Sequence, residues 1–282
     1  MGITMQDNKK LIVKDNNLIN AAYTLDLAEQ RLILLAIIEA RESNKGINSN
    51  DPLTVHSNHY AQQFGVTRQA AYWALKEAAN GLFERYFRYQ TKDEKDNIVK
   101  HKSRWVSEIQ YVDANAVVKL IFAPAVVPLI TSLERHFTSY ELEQISELTS
   151  IHAIRLYELL IAWRSVGRTP VIELINFRNS LGIEENEYKR MTDFKRRVLD
   201  AAISQINAHT DITVKYDQHK KGRSISGFSF SFKQKNQPKT ISTTKKSRQR
   251  ITKKEAEAMA YVGENWPDLL NRLTGEYHIV DM

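Results

Sequence analysis

The chain has 282 residues, 42% hydrophobic and 26% charged, with 40 Lys and Arg against 33 Asp and Glu and no cysteine. At ~100–200 residues per domain this length suggests two domains, and the lack of cysteine excludes disulfides, thiolate metal sites and a cysteine nucleophile. The longest apolar run, Leu32–Ile38, spans seven residues, far short of the ~20 that cross a bilayer. The N-terminus has neither an apolar leader nor a myristoylation pattern. A soluble, cytoplasmic protein without a membrane partner is expected, and its net charge of +7 favours a polyanion.

In chain order, LIVKDNNLINAAYT reads as a strand or arm, and Leu25–Arg41 as a helix with Asp26 or Thr24 at its start. ESNKGINSNDP is a loop by composition, and Leu53–His56 a short strand. Two helices, Ser57–Phe64 and Thr67–Leu82, follow with only Gly65 and Val66 between them. Strands are expected over Phe83–Gln90, Ser103–Tyr111 and Val117–Phe122, the first two joined by the polar stretch TKDEKDNIVKHK. Pro124 and Pro128 mark a short helix.

From Phe137 the pattern starts again. It runs through a helix over Ile151–Trp163, a strand over Pro170–Leu174, a short helix over Phe177–Leu181, a long helix from Tyr188 to Ala208, and strands over Asp211–Tyr216 and Ser224–Phe232. Helix, strand, two helices and a hairpin thus occur twice, which is the layout of a winged helix. The fold class expected is α+β, two tandem winged-helix domains over 1–132 and 133–234, with a short basic tail over 235–282. Lys233 to Lys254 carries nine Lys or Arg and no acid and reads as a solvated linker. Thr252 and Glu255 have capping-box spacing before a helix EAEAMAY, and Pro267–Leu273 suggests another.

Three segments point to DNA. In the first helix-turn-helix, Gly65 suits the tight turn and Thr67 the cap. Ala71, Ala74, Leu75, Ala78 and Leu82 fall on one side of the second helix, and Arg68, Gln69, Tyr72, Trp73, Lys76 and Asn80 on the other. Arg and Gln reach base edges, whereas Lys and Tyr hold phosphates. A solvated helix with Trp73 packed under a neighbour is the competing reading.

In the long helix of the second half, Phe194, Val198, Leu199, Ala202, Ile203 and Ile206 make an apolar arc. Lys189, Arg190, Asp193, Arg196, Arg197, Asp200, Ser204 and Asn207 lie opposite, the bases gathered in the N-terminal half, which a helix-turn-helix inserts into the major groove. Asp193 can accept from cytosine or orient an arginine. Lys195 falls on the apolar side and is expected to snorkel outward or to lie before the helix straightens. Here a salt-bridged surface helix competes with the DNA reading.

The turn QHKKGR puts Lys220, Lys221 and Arg223 at a hairpin tip with Gly222, as a wing that touches phosphates or the minor groove, unless it is an ordinary charged tip. Ile212, Val214 and Tyr216 alternate on one strand, and Phe228, Phe230 and Phe232 on the other.

Phosphate-loop, nucleophile-elbow and zincin motifs are missing, and His56 and His59 lack a third ligand in sequence. No H-x-H triplet of the kind a rolling-circle nickase needs occurs. Neither catalytic residues, metal nor cofactor are therefore expected.

The runs IRLYELLIAWRSVGRT, FRNSLGI, YKRMTDFKRRVLDAAISQINAHTDITVKY and KKGRSISGFSFSF, with the opening AYTLDLAEQRLILLAI, resemble the initiator replication proteins of iteron-containing, theta-type plasmids. The resemblance covers roughly Lys10 to Phe232, is looser between Glu84 and Phe122, and leaves out the tail. It implies monomers on direct repeats at a plasmid origin and dimers on an inverted repeat at the gene's own promoter. It also implies recruitment of host factors such as helicase or chaperones. Matched residue by residue, it assigns base reading to Lys189, Arg190, Lys195, Arg196 and Arg197 and the wing to Lys220 and Arg223. The first domain, with Arg68, Gln69 and Tyr72, would also hold the dimer interface. The rival expectations are a plain repressor on one inverted repeat, a concealed nickase or primase, and a protein-interaction module with charge-driven DNA affinity.

Overall fold

The computed structural model describes residues 10–43, 45, 50–131, 137–235, 249–252 and 277–280. The chain forms two compact units, Met1–Lys235 and Asn236–Met282. In the second, Gln249–Thr252 pairs in parallel with Tyr277–Val280. Of the linker expected over 233–254, Lys233 and Gln234 continue a strand and Gln249–Thr252 form another. Lys235 is fixed through its N–H to Asp211 O at 2.7 Å and its Nζ to Asn207 O at 2.6 Å. The two tail helices lie outside the described residues.

Within the first unit, strand β1 (Leu11–Asp15) leads into a single turn, α1 (Asn16–Ile19), and the short strand β2 (Ala22–Tyr23). Helix α2 (Leu27–Ser43) starts with a reciprocal cap in which the Glu29 N–H donates to Asp26 Oδ1 and the Asp26 N–H to Glu29 Oε2, both at 2.7 Å. Asp26, not Thr24, is thus the capping residue. Leu32 to Ile38 are all buried, so this helix is the post around which the first domain packs.

Strand β3 (Leu53–His56) runs into α3 (Ser57–Phe64), Gly65 and α4 (Arg68–Leu82). Gly65 sits at φ +63°, where a Cβ is strained, and Thr67 Oγ1 accepts the Ala70 N–H at 3.2 Å. Beyond α4 come β4 (Tyr86–Lys92), β5 (Ile98–Arg104), β6 (Val106–Val112) and β7 (Val117–Phe122), then a short helix α5 (Val127–Thr131).

The strand expected over Ser103–Tyr111 is in fact two strands in different sheets. Trp105 separates them, its ring fully buried and 4.9 Å from both Tyr23 and Phe87. The polar run before it, expected as a connection, supplies most of β5. Strand β8 (Phe137–Glu141) pairs antiparallel with β1. A helical turn, α6 (Glu143–Ser146), precedes α7 (Ile151–Ile161), which is capped by Ser150 and opens the second domain's pattern.

There β9 (Ile172–Glu173), α8 (Leu174–Ser180), the long helix α9, β10 (Ile212–Lys221) and β11 (Ser224–Gln234) follow. Helix α9 comprises Met191–Phe194, a π-helical turn over Lys195–Leu199, and Asp200–His209. Phe177, Phe194, Phe228 and Phe230 form an aromatic core, with ring centroids 5.3–6.1 Å apart along four contacts.

Both domains order their sheet alike: β3-β7-β6 in the first and β9-β11-β10 in the second. In each, the strand before the helix pair lies at one edge and the hairpin after it fills the rest. These are two tandem winged helices. The first differs by the inserted hairpin β4–β5, which joins β2 in a sheet of its own.

A buried ionic cluster joins the domains. Glu158 accepts from Lys14 Nζ, Tyr140 Oη and Arg155 Nη1, each at 2.6 Å. Arg155 also donates to the carbonyls of Ile19 (2.8 Å), Ala21 (3.0 Å) and Ser180 (3.0 Å), tying the start of the first domain to the end of α8. Burial pushes the Glu158 carboxyl up, but Lys14 and Arg155 together with these hydrogen bonds outweigh it and hold it at about 2.

Candidate nucleic-acid interface

Helices α4 and α9 and the two wing hairpins differ in how far their polar groups are free. On α4 the inward face is as expected, with Ala71, Leu75, Ala78 and Leu82 buried. Arg68 and Gln69 are exposed in its first turn, and Trp73 is 53% exposed, so it does not pack under a neighbour. Tyr72 and Lys76 are engaged within the protein. Tyr72 Oη donates to Asp113 Oδ1 at 2.7 Å and Lys76 Nζ reaches the same oxygen at 3.0 Å.

Asp113 sits at the β6–β7 turn, the tip of the first wing. The Lys76 ammonium also lies 5.7–5.8 Å from the rings of Tyr72, Trp73 and Tyr111, inside an aromatic cage. Helix and wing are thereby latched together. Sequence spacing could not show this, because Asp113 lies 37 residues from Lys76.

On α9 the apolar arc is buried at Phe194, Val198, Leu199, Ala202 and Ile206, with Ile203 partly covered. Lys189 and Arg190 are exposed but precede the helix, which starts at Met191 rather than Tyr188, with Arg190 at the cap position. The loop leading to them is held by Arg178, whose guanidinium donates to the carbonyls of Glu184 (3.2 Å), Glu187 (2.6 Å) and Tyr188 (3.3 Å). Arg178 is a positioning residue that no spacing rule singles out.

The π-helical turn resolves the awkward placement of Lys195. One added residue turns it off the apolar face, so its Nζ lies 5.8 Å from the Tyr216 ring and donates to Gln218 Oε1 at 3.2 Å. Lys195 therefore joins α9 to strand β10. Arg196, its side chain 73% exposed, reaches Asp193 only at 3.5 Å, while Arg197 is exposed. Asn207, expected on the outward arc, instead turns inward. Its Oδ1 accepts the Val214 N–H at 2.7 Å and its Nδ2 donates to Val214 O at 3.1 Å, pinning β10.

The wing extends farther than expected, its strands running to Lys221 and from Ser224, with a bulge between His219 and Lys220. Lys220, Lys221 and Arg223 are exposed at the tip. His56 and His59 stack 5.6 Å apart.

The residues expected from sequence to contact DNA thus fall into two sets, each on a winged helix: Arg68, Gln69, Tyr72 and Lys76, and Lys189 to Arg197 with the wing cations. Against models of known families, residues 11–161 match the WH1 domain of initiator replication proteins and residues 173–232 the WH2 domain of initiator Rep proteins. The chain belongs to the initiator replication protein family.

Relatives of this initiator family member include an Escherichia coli protein described as an uncharacterized 27.6 kDa protein, 28% identical over 82% of this chain and 98% of that one. An Escherichia coli replication initiation protein is 24% identical over 76% of this chain and 66% of that one. Among solved structures, the Pi initiator protein in complex with iteron DNA matches with a TM-score of 0.65 at 22% identity, over 81% of this chain and 98% of that one. That likeness shows the shared fold. The WH1 domain of MSBI1.176, a replication protein isolated from a multiple sclerosis patient, is 60% identical over 43% of this chain and 92% of that one, with a TM-score of 0.36.

Proposed function

We propose that this initiator binds the direct repeats of a plasmid origin in sequence-specific fashion, one monomer per repeat. The observation that carries the reading is the pair of winged helices in one unit, each with exposed Arg or Lys at the start of its reading helix. The Pi initiator shares the fold, and its structure is a complex with iteron DNA. In this reading the first domain, taken as 1–132, contributes Arg68 and Gln69. The second, 133–234, does the main base reading through Arg190, Arg196 and Arg197. Lys189, Lys195, Lys220, Lys221 and Arg223 hold phosphates, and Asp193 orients Arg196.

Binding as a dimer to an inverted repeat at its own promoter, and recruitment of host helicase or chaperones in a bacterial cytoplasm, complete the proposal. It assigns the chain no catalysis. Fluorescence anisotropy at ~150 mM salt, where long-range attraction is screened, tests it with direct repeats from upstream of the coding gene, scrambled repeats and the promoter's inverted repeat. Preference for direct repeats at one monomer each is expected. Preference for the inverted site alone would make the protein a repressor, and equal binding to all three would remove the assignment of base-reading residues.

A further inference from the structure

The hairpin β4–β5 has no counterpart in the second domain, where α9 passes into β10 with only two residues between. A winged helix does not need it. Its strands pair Tyr86 with Arg104, Arg88 with Lys102, Gln90 with Lys100 and Lys92 with Ile98. Because side chains alternate along a strand, these eight residues share one face. All eight are exposed, and the face holds five cations and no acid. The opposite face holds Phe87, Tyr89 and His101, the last two stacked at 4.5 Å.

The arrangement of charge on the exposed face is costly by itself. Arg88 and Lys102 are direct cross-strand partners, and like charges placed so repel. They also bracket a single ring, with Lys102 Nζ 4.1 Å and the Arg88 guanidinium 5.9 Å from the centroid of Tyr86. Lys100 lies on the same face two residues along the strand. Of the acids nearby, Asp93, Asp96 and Glu84 are engaged, while Glu94 in the turn has no ion-pair partner among the described residues. Asp93 accepts from the Lys95 and Asn97 N–H groups and from Asn97 Nδ2, closing the turn. Asp96 pairs with Lys92, and Glu84 with Arg104. Among the described residues, Arg88, Lys100 and Lys102 have no ion-pair partner.

We propose that this face is a third nucleic-acid contact, independent of sequence, in which Arg88, Lys100 and Lys102 bind the phosphodiester backbone. Phosphates supply the counter-charge that the hairpin lacks, and contacts from Arg and Lys to phosphate oxygens carry no sequence information. The inference rests on the reading that the chain binds DNA but concerns residues outside both helix-turn-helix units. The phosphates come either from duplex flanking a repeat or from a separated strand beside it, and the test distinguishes the two.

The experiment compares the native full chain with Arg88→Gln/Lys100→Gln/Lys102→Gln, and with Lys100→Gln alone, by anisotropy across a salt series. The probes are one repeat with long duplex flanks, the same duplex scrambled, and a single strand of equal length. Each phosphate contact contributes about 0.9 to the slope of log affinity against log salt on duplex and about 0.7 on a single strand. The triple variant is expected to lose about 2.7 on duplex or about 2.1 on single strand, and Lys100→Gln about a third of that. The preference for repeat over scrambled duplex should stay unchanged. Loss on duplex alone assigns the face to flanking DNA, and loss on the single strand alone assigns it to a separated strand.

Unchanged slopes on both probes, with native preference intact, overturn this proposal and leave the proposed function standing. Absence of any repeat preference in the native chain overturns the proposed function instead. Because the variants remove like-charge repulsion, their thermal midpoints should equal or exceed the native one. For a triple variant that melts lower, the Lys100→Gln slope decides.

Discussion

Lys76 on α4 and Asp113 at the tip of the first wing meet at 3.0 Å, with Tyr72 bonded to the same carboxylate oxygen. The two groups best suited to hold a phosphate on that helix are thus already occupied by an internal anion, 63% exposed. In the proposed reading, bound DNA competes with Asp113 for them.

Replacing Asp113→Asn removes that competitor and one negative charge beside the helix. DNA affinity should rise, and the slope of log affinity against log salt should steepen by about 1, as for one added phosphate contact. A salt titration by anisotropy checks this. An affinity that fell would mean that the latch positions the wing more than it blocks the helix.

The buried cluster around Glu158 makes a stability prediction. Glu158→Gln leaves Lys14 and Arg155, both 1–2% exposed, facing a neutral partner, and breaking such a pair costs about 3–5 kcal/mol. Denaturant unfolding of the two proteins at neutral pH would show it as a lower midpoint.

The same carboxyl sets part of the acid limb. Its folded value is depressed to about 2, whereas an unfolded glutamate titrates near ~4.3. The stabilisation is therefore fully present above ~4.3 and disappears as pH falls through about 2. In Glu158→Gln the stability curve should be flatter over that window, and equal slopes would contradict the assignment.

Gly182 makes the turn after α8 at φ +74°, and a Cβ there would stand 2.4 Å from Tyr23 O, across the contact between the two domains. Gly182→Ala combines backbone strain with a clash against main chain, and should destabilise by about 1–3 kcal/mol. Thermal unfolding measures it, and an unchanged midpoint would mean that the two domains separate without cost at this point.

Much of this was legible from residue pattern alone. The α3–Gly65–α4 turn, the apolar arc of α9 and the alternating core of β10 and β11 all follow from local periodicity, and the structure buries the apolar arc and the alternating strand residues, with Ile203 and Tyr216 partly covered. What escaped depends on partners distant in sequence. Trp105 breaks a strand because Tyr23 and Phe87 enclose its ring. Asn207 turns inward because Val214 offers both a donor and an acceptor. The polar run before Trp105 becomes a strand through β4, and its period of two, with Lys100 and Lys102 on one face, was the available signal.

The proposed base-reading role of α9 is tested most directly at Arg196, which projects from the π-helical turn with its side chain 73% exposed. Competition anisotropy at ~150 mM salt would compare repeat with scrambled duplex for the native chain and for Arg196→Ala. A bidentate contact to guanine is worth about 1–3 kcal/mol, so the discrimination ratio should fall roughly five- to 150-fold, with little change on scrambled DNA. An unchanged ratio, or an equal loss on both duplexes, would place Arg196 among the phosphate contacts and contradict base reading by this part of the helix.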